Sequence, residues 1–346
     1  MIPSFLITLA SWAVRSASWT RNKLYDVGLK RIKSPPILTI SIGNLAFGGT
    51  GKTPCALFLL AILQEKGWRP CFISRGYRGL WEKRGGIVSN GRQILANWKE
   101  AGDEPYMVAR RLPEVPVIVG RNRFASCLAG FHLGCQIAVL DDAFQHRSLE
   151  RHLDIVLLSP EDQAQRESWS ALKRANFILI QGKKEELPKA VHQAITSAQK
   201  ESSIFVYKLH PASLYFPLNQ KELSAEEVRG KRIVAFCGLA RPNNFRTTLK
   251  ELGASIENFL VFPDHYPYPE SALRKVLNCF KKSQADWLIT TEKDAVKIFD
   301  QNWFLKEMPL AILKVNFVPE SGFIHALFNF LEKSCHFKNK LKDQAK

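Results

Sequence analysis

An α/β fold is predicted: a P-loop NTPase-like, mostly parallel sheet, a second, smaller α/β domain and an N-terminal amphipathic helix. Three observations predict it. The apolar, β-branched run Ile37 to Ile42 breaks into a glycine-rich turn ending Gly51-Lys52-Thr53, and a helix-like pattern follows. Strand-like and helix-like segments then alternate, which argues for parallel strands covered by helices. The alternation loosens after residue 208 and restarts at Arg232, so a second unit begins there.

The elements follow in order. Residues 37–42 read as a strand, 53–66 as a helix and 70–74 as a strand. A helix is expected around 103–112, a strand at 115–119, a helix at 122–133 and a strand at 136–140. Further strands fit 154–158, 176–180 and 203–207. Pro211, Pro217 and the polar run Asn219 to Glu227 interrupt the pattern and suggest a hinge over 211–230. Beyond it come a strand from Arg232 to Cys237, a helix at 243–252, a strand at 256–262, a helix at 270–282 and a strand at 287–290. The expected organisation is an N-terminal helix (1–33), a nucleotide-binding domain (34–210), the hinge, a smaller domain (231–332) and a basic tail (333–346).

Composition narrows the partners. The 346 residues suit two domains of about 100–200 residues each. Seven scattered cysteines with no Cys-x-x-Cys read as reduced, buried thiols and exclude a disulfide frame or a zinc ribbon. A net charge of +17 asks for an anionic partner, and no nucleic-acid motif or repeat accompanies it. Part of the charge follows an apolar stripe of Ile2, Phe5, Leu6, Leu9, Trp12 and Ala13 at helical spacing. The apolar run is too short to span about 30 Å of hydrocarbon. With Trp12, Trp19 and the basic residues after them, it fits an anionic membrane surface. A helix packed on the protein's own core and a signal peptide are the competing readings.

The loop Ala46-Phe47-Gly48-Gly49-Thr50-Gly51-Lys52-Thr53 carries the chemistry. Its glycines let backbone N–H groups close around phosphate oxygens. Lys52 would reach the β- and γ-phosphates, and the Thr53 hydroxyl would sit on Mg²⁺. Ala46 stands where the usual pattern opens with glycine. Downstream, the apolar strand from Gln136 ends in Asp141-Asp142, the carboxylate pair that such a loop needs for its metal. Asp103, in Gly102-Asp103-Glu104-Pro105, reads on its own as a helix N-cap. His265, in Pro263-Asp264-His265, reads on its own as a structural loop histidine. An Asp–His pair meeting across a cleft would also make a base for a sugar hydroxyl. Thr290-Thr291-Glu292-Lys293-Asp294 superficially matches a guanine-reading motif, but its adjacent Lys293 and Asp294 have the wrong spacing. The basic turns Ser74 to Gly79 and Val119 to Arg123 suit either anion binding or ordinary surface loops.

Together these segments resemble the tetraacyldisaccharide 4′-kinase family, the lipid A 4′-kinases. The matching pieces are Gly43-Asn44-Leu45, Gly48 to Pro54, Ser74-Arg75-Gly76-Tyr77, Gly102 to Pro105, Asp141 to His146, Asp264-His265 and Thr291 to Lys297. The resemblance implies a P-loop domain hinged to a smaller domain, on the cytoplasmic face of the bacterial inner membrane. It implies transfer of the ATP γ-phosphate, with Mg²⁺, to the 4′-hydroxyl of a tetraacylated glucosamine disaccharide 1-phosphate. It also implies that Asp103 acts with His265 in deprotonating that hydroxyl, and that residues 46–53 bind ATP. Two departures stand out. Ala143 replaces a common glycine, and the stretch Ser159 to Lys173 is short, keeping only Arg166-Glu167 of the family's loop. A membrane-associated regulatory P-loop ATPase is the alternative; Phe47 stands where that class carries a signature lysine. A nucleic-acid-binding NTPase is motivated by charge alone.

Overall fold

The computed structural model describes residues 20–46, 49–162, 166–198 and 204–344. Its strands are β1 (Leu38–Asn44), β2 (Pro70–Ser74), β3 (Gly86–Asn90), β4 (Pro116–Val119), β5 (Ile137–Leu140), β6 (Leu153–Leu158) and β7 (Phe177–Gln181). After them come β8 (Ile204–Phe216), β9 (Lys221–Ser224), β10 (Arg232–Cys237), β11 (Ser255–Val261), β12 (Trp287–Thr291) and β13 (Leu310–Pro319). All belong to one sheet, in the order β11-β10-β12-β13-β8-β7-β6-β1-β5-β2-β4-β3, with β9 pairing only β8. Pairing is parallel except at β3·β4, β8·β9 and β13·β8. β1 and β6 are buried along their whole length, as central parallel strands covered on both faces must be.

β1 lies between β5 and β6. The chain therefore crosses over β1 in passing from β5 to β6, and the turns after β1 and β5 open side by side at the strands' carboxyl ends. Open α/β sheets bind their ligands at such a switch point.

The segment expected to be an irregular hinge is an antiparallel hairpin. β8 runs to Phe216 and turns back through β9. Its Pro211 is tolerated because it falls at a register shift opposite Lys314 and Val315, where the ladder asks for no regular donor. The sequence pattern also passed over β3, β13 and the final helix Ser321–Gln344. That helix sends Phe323, Leu327 and Leu331 into the core of the nucleotide-binding unit, together with Leu59, Phe177, Phe205 and Phe317. Phe323 meets Phe205 edge-on at 5.6 Å and Phe177 at 5.9 Å.

The apolar stripe expected to form an amphipathic helix lies in residues 1–19, outside the described residues. Residues 20–26 are helical, and the chain leaves the helix before 33. This turn is held from below: Arg147 Nη1 donates to the Asn22 carbonyl at 2.9 Å and pairs with Asp26 at 2.8 Å. Asn22 Nδ2 donates to buried Glu167 at 2.8 Å, and Glu167 also takes Arg174 at 2.5 Å. Val27, Leu29 and Ile32 follow, all exposed, beside Lys30, Arg31 and Lys33.

Candidate active site

The helix Lys52–Glu65 starts directly from the glycine-rich turn. Its N-cap, Gly51, has φ 74°, and no side chain caps the helix or adds an acid to its first turn. The positive end of the helix dipole, with no side chain capping it, thus faces the turn, an arrangement that suits an anion. A side chain at Gly51 would also meet Leu209 at 3.1 Å, so both the backbone angle and the space call for glycine. Thr50 is buried; its hydroxyl accepts from Asn44 Nδ2 at 3.2 Å and its carbonyl accepts from the Tyr207 hydroxyl at 2.7 Å. Ala46 is buried and Gly49 exposed, whereas Phe47 and Gly48 lie outside the described residues.

The carboxylate pair is set against this loop by backbone interlock. Ala143 N donates to the Ile42 carbonyl at 3.2 Å, and Gln145 Nε2 donates to the Asn44 carbonyl at 2.8 Å. Gly43 lies so close to Phe144 that an added Cβ would sit 2.4 Å from the Phe144 Cβ. Asp142 stands at φ 46°, with Lys52 Nζ at 3.7 Å and Arg166 Nη1 at 2.7 Å. Burial raises the Asp142 pKa, but Lys52 and Arg166 outweigh it and hold the carboxyl below its ordinary range. Asp141 is buried; Ser74 Oγ donates to its Oδ2 at 3.2 Å while Oδ1 has no hydrogen-bond partner. Burial first, then the nearby Glu104 and Asp142, push Asp141 up to about 7. An orphaned carboxylate oxygen, uncomfortable as an anion and next to a second carboxylate, fits a divalent cation.

Asp103 and His265 meet. His265 Nδ1 lies 2.8 Å from Asp103 Oδ2 and 3.1 Å from Oδ1. Asp103 begins the helix Asp103–Arg111, and its Oδ1 also accepts from Glu104 N at 3.0 Å. Gly102, not Asp103, is the N-cap of this helix, and no side chain caps it; Asp103 is its first helical residue, so its carboxylate is free to face His265. Burial raises the Asp103 pKa; the His265 hydrogen bond, Lys293 and Lys297 outweigh it and set the carboxyl below its ordinary range. His265 sits in the left-handed region, φ 61°, with the Tyr77 ring edge-on at 5.5 Å. Tyr77, Arg78, Trp98, Gly102, Asp103, His265 and Lys297 line a shallow cleft. Thus the turn after β2 and the start of the Asp103–Arg111 helix face the turn after β11.

A profile of the family described as Tetraacyldisaccharide-1-P 4'-kinase matches residues 3–332. The chain belongs to this family. A tetraacyldisaccharide 4'-kinase of Syntrophus aciditrophicus is 32% identical, covering 95% of this chain and 93% of its own. Another, of Desulfotalea psychrophila, is 37% identical over 84% of this chain and 86% of its own. The crystal structure of "apo" form LpxK from Aquifex aeolicus in complex with ATP superposes with a TM-score of 0.74 at 29% identity, covering 96% and 99% of the two chains. This tetraacyldisaccharide 4′-kinase family member is accordingly an ATP-dependent kinase of lipid A biosynthesis, and the regulatory ATPase alternative is not favoured.

Several site residues escaped sequence reasoning in this 4′-kinase. Tyr207 was read only as part of a strand, yet it braces the loop at Thr50 and stacks on Phe317 at 4.6 Å. Arg123, expected in a basic turn, is buried; it donates to the Gly120 carbonyl at 2.8 Å and the Asp141 carbonyl at 3.1 Å. It braces the carboxylate strand from beneath. Arg166, kept from the shortened loop, reaches Asp142. Its neighbour Glu167 is buried between Arg21 and Arg174, which lie far from one another in the sequence, so no local signal announced that cluster.

Proposed function

We propose that the chain transfers the γ-phosphate of ATP to the 4′-hydroxyl of a tetraacylated glucosamine disaccharide 1-phosphate, at the cytoplasmic face of the inner membrane. The observation that carries the mechanism is the 2.8 Å contact between His265 Nδ1 and Asp103 in the cleft beside Tyr77 and Arg78.

ATP lies with its phosphates on residues 46–53, against the uncapped start of the Lys52–Glu65 helix. Thr53, Asp141 and Asp142 would hold Mg²⁺, which spreads the charge of the transferring phosphoryl group. Lys52 adds a fixed positive charge there, and Asp142 orients it. In the cleft, His265 holds the Asp103 carboxylate through its Nδ1–H. Asp103 accepts the 4′-hydroxyl proton as the new O–P bond forms and the γ-phosphorus–oxygen bond to ADP breaks. Positioning supplies most of the acceleration, and the base adds about 10²–10⁴-fold.

The acyl chains of the acceptor place the reaction at a bilayer. The stripe in residues 2–13 and the exposed Val27, Leu29 and Ile32 among basic residues support a surface-bound, peripheral enzyme. No described helix is long and apolar enough to cross a membrane. The charge is assigned to anionic headgroups and substrate, with no nucleic-acid partner. The test is phosphate transfer from ATP to the disaccharide 1-phosphate in detergent micelles. Asp103→Ala is expected to lose about 10²-fold or more in kcat; unchanged turnover would remove Asp103 from the chemistry.

A further inference from the structure

The turn after β6 has no part in the reaction as described above, yet it flanks the phosphate loop. β6 pairs with β1 in parallel, with Leu157 opposite Asn44. The turn that begins at Ser159 and the loop that follows β1 therefore leave neighbouring strands at the same end. The turn closes on itself: Ser159 N donates to Asp162 Oδ2 at 2.9 Å, and Asp162 N donates to the Ser159 carbonyl at 3.1 Å. It thereby holds a carboxylate with only 2% of its side chain exposed on the flank of the loop.

A buried carboxylate is an unfavourable neighbour for a triphosphate, because the interior screens their repulsion poorly. The chain answers it from 79 positions downstream. Arg241 follows β10 and opens the helix Pro242–Glu251. Its Nη2 donates to Asp162 Oδ1 at 3.1 Å and to the Glu161 carbonyl at 3.4 Å, while Nη1 reaches Glu161 Oε2 at 3.3 Å. Asn244, in the first turn of that helix, donates to the same Glu161 oxygen at 3.3 Å. Water shares the charge of Glu161, whose side chain is 54% exposed. It cannot share that of Asp162, which depends on Arg241.

Both charges are felt at the loop. Burial raises the Asp162 pKa, and the Ser159 N–H, Arg241 and Lys52 oppose it. Burial also raises the Tyr207 hydroxyl, with Cys55 and Asp162 adding to the rise and Arg241 opposing it. That hydroxyl is the one that donates to the Thr50 carbonyl.

We infer that Arg241 is a positioning residue for ATP: its guanidinium neutralises the buried Asp162 beside the phosphate loop, and the nucleotide binds tightly only while that pair is made. The inference deepens the proposed function, since it rests on residues 46–53 as the phosphate site. It asks for no contact between Arg241 and the phosphates. The coupling is reciprocal, so bound ATP in turn tightens the contact between the turns after β6 and β10.

The experiment is a double-mutant cycle in the full chain, read by equilibrium binding of ATP with Mg²⁺ and by steady-state kinetics in detergent micelles. Arg241→Ala leaves Asp162 buried and unpaired, and is expected to weaken ATP about tenfold or more, in Kd and KM alike. Asp162→Asn removes the charge that needs neutralising, and should bind ATP at least as tightly as the parent. The double variant Arg241→Ala/Asp162→Asn should return to within about threefold of the parent. A merely structural contact would give no such recovery, because the double variant lacks the contact too. Arg241→Lys keeps the charge and should stay near the parent. Should Arg241→Ala fail to fold, Arg241→Gln, uncharged but still a donor, takes its place in the cycle. Unchanged ATP affinity on losing the guanidinium would overturn the inference, as would a double variant no tighter than the single one. A parent that binds ATP no better than Lys52→Met would instead remove residues 46–53 as the phosphate site. A parent that binds ATP but transfers no phosphate would remove the proposed function and leave the pair standing.

Discussion

Asp103 takes the first position of its helix and leaves the cap to Gly102. Its carboxylate faces a histidine 162 positions later, with buried surroundings that favour the charged form only because His265, Lys293 and Lys297 are there. The sign of its linkage follows. Because its folded pKa lies below the unfolded value of about 4, its stabilisation is complete above that pH and is lost as pH falls through the folded value. Asp103→Asn should therefore have a lower denaturant midpoint than the parent at pH 6, and the gap should close below about pH 4. A constant gap across that range would show the loss to be packing and not charge. At this scale the sequence singles out residues whose type suggests their chemistry, Lys52, Thr53 and the Asp141-Asp142 pair after an apolar strand, and the structure brings Lys52 and Asp142 within 3.7 Å of each other. Lys293 was not legible, because a lysine in a turn is ordinarily a solvated one, and only folding shows the three acceptors around it.

Among the elements, the helices and strands from Leu38 to Gln181 were largely readable because each carries its own apolar period and its own turn signals. β3 was harder, as a five-residue antiparallel edge strand that carries glycine, serine and asparagine beside Ile87 and Val88. β8 was read five residues long because its prolines suggested a break, whereas the bulge that accommodates Pro211 depends on β13, about a hundred residues downstream. The final helix was missed for a related reason. Its Phe323, Leu327 and Leu331 stripe is plain, but nothing local says which core it joins. Phe323→Ala, buried among Phe58, Phe177 and Phe205, should cost about 3–5 kcal/mol in unfolding free energy, measured by chemical denaturation. A cost confined to a separate late transition would mean that the helix does not share the first core.

On the scale of the whole molecule, charge and sheet topology matter most. A net +17 with exposed Val27, Leu29 and Ile32 among lysines and arginine predicts binding to anionic vesicles that weakens between about 0.05 and 0.5 M salt. Flotation with anionic and with purely zwitterionic vesicles checks this; equal, salt-insensitive binding to both would assign the attachment to apolar insertion alone. The two units are joined by β8 leaving and β13 returning, side by side in one sheet. β13 and the helix Ser321–Gln344 bring Phe317, Phe323, Leu327 and Leu331 into the core that also holds Leu59, Phe177 and Phe205, so residues on both sides of the stretch from β9 to β12 complete it. A ribosome making this protein releases the phosphate loop, at residues 46–53, well before Phe317 and Phe323, the aromatic residues that back its core. The nascent core behind the loop therefore stays incomplete until Phe317, Phe323, Leu327 and Leu331 have been synthesised.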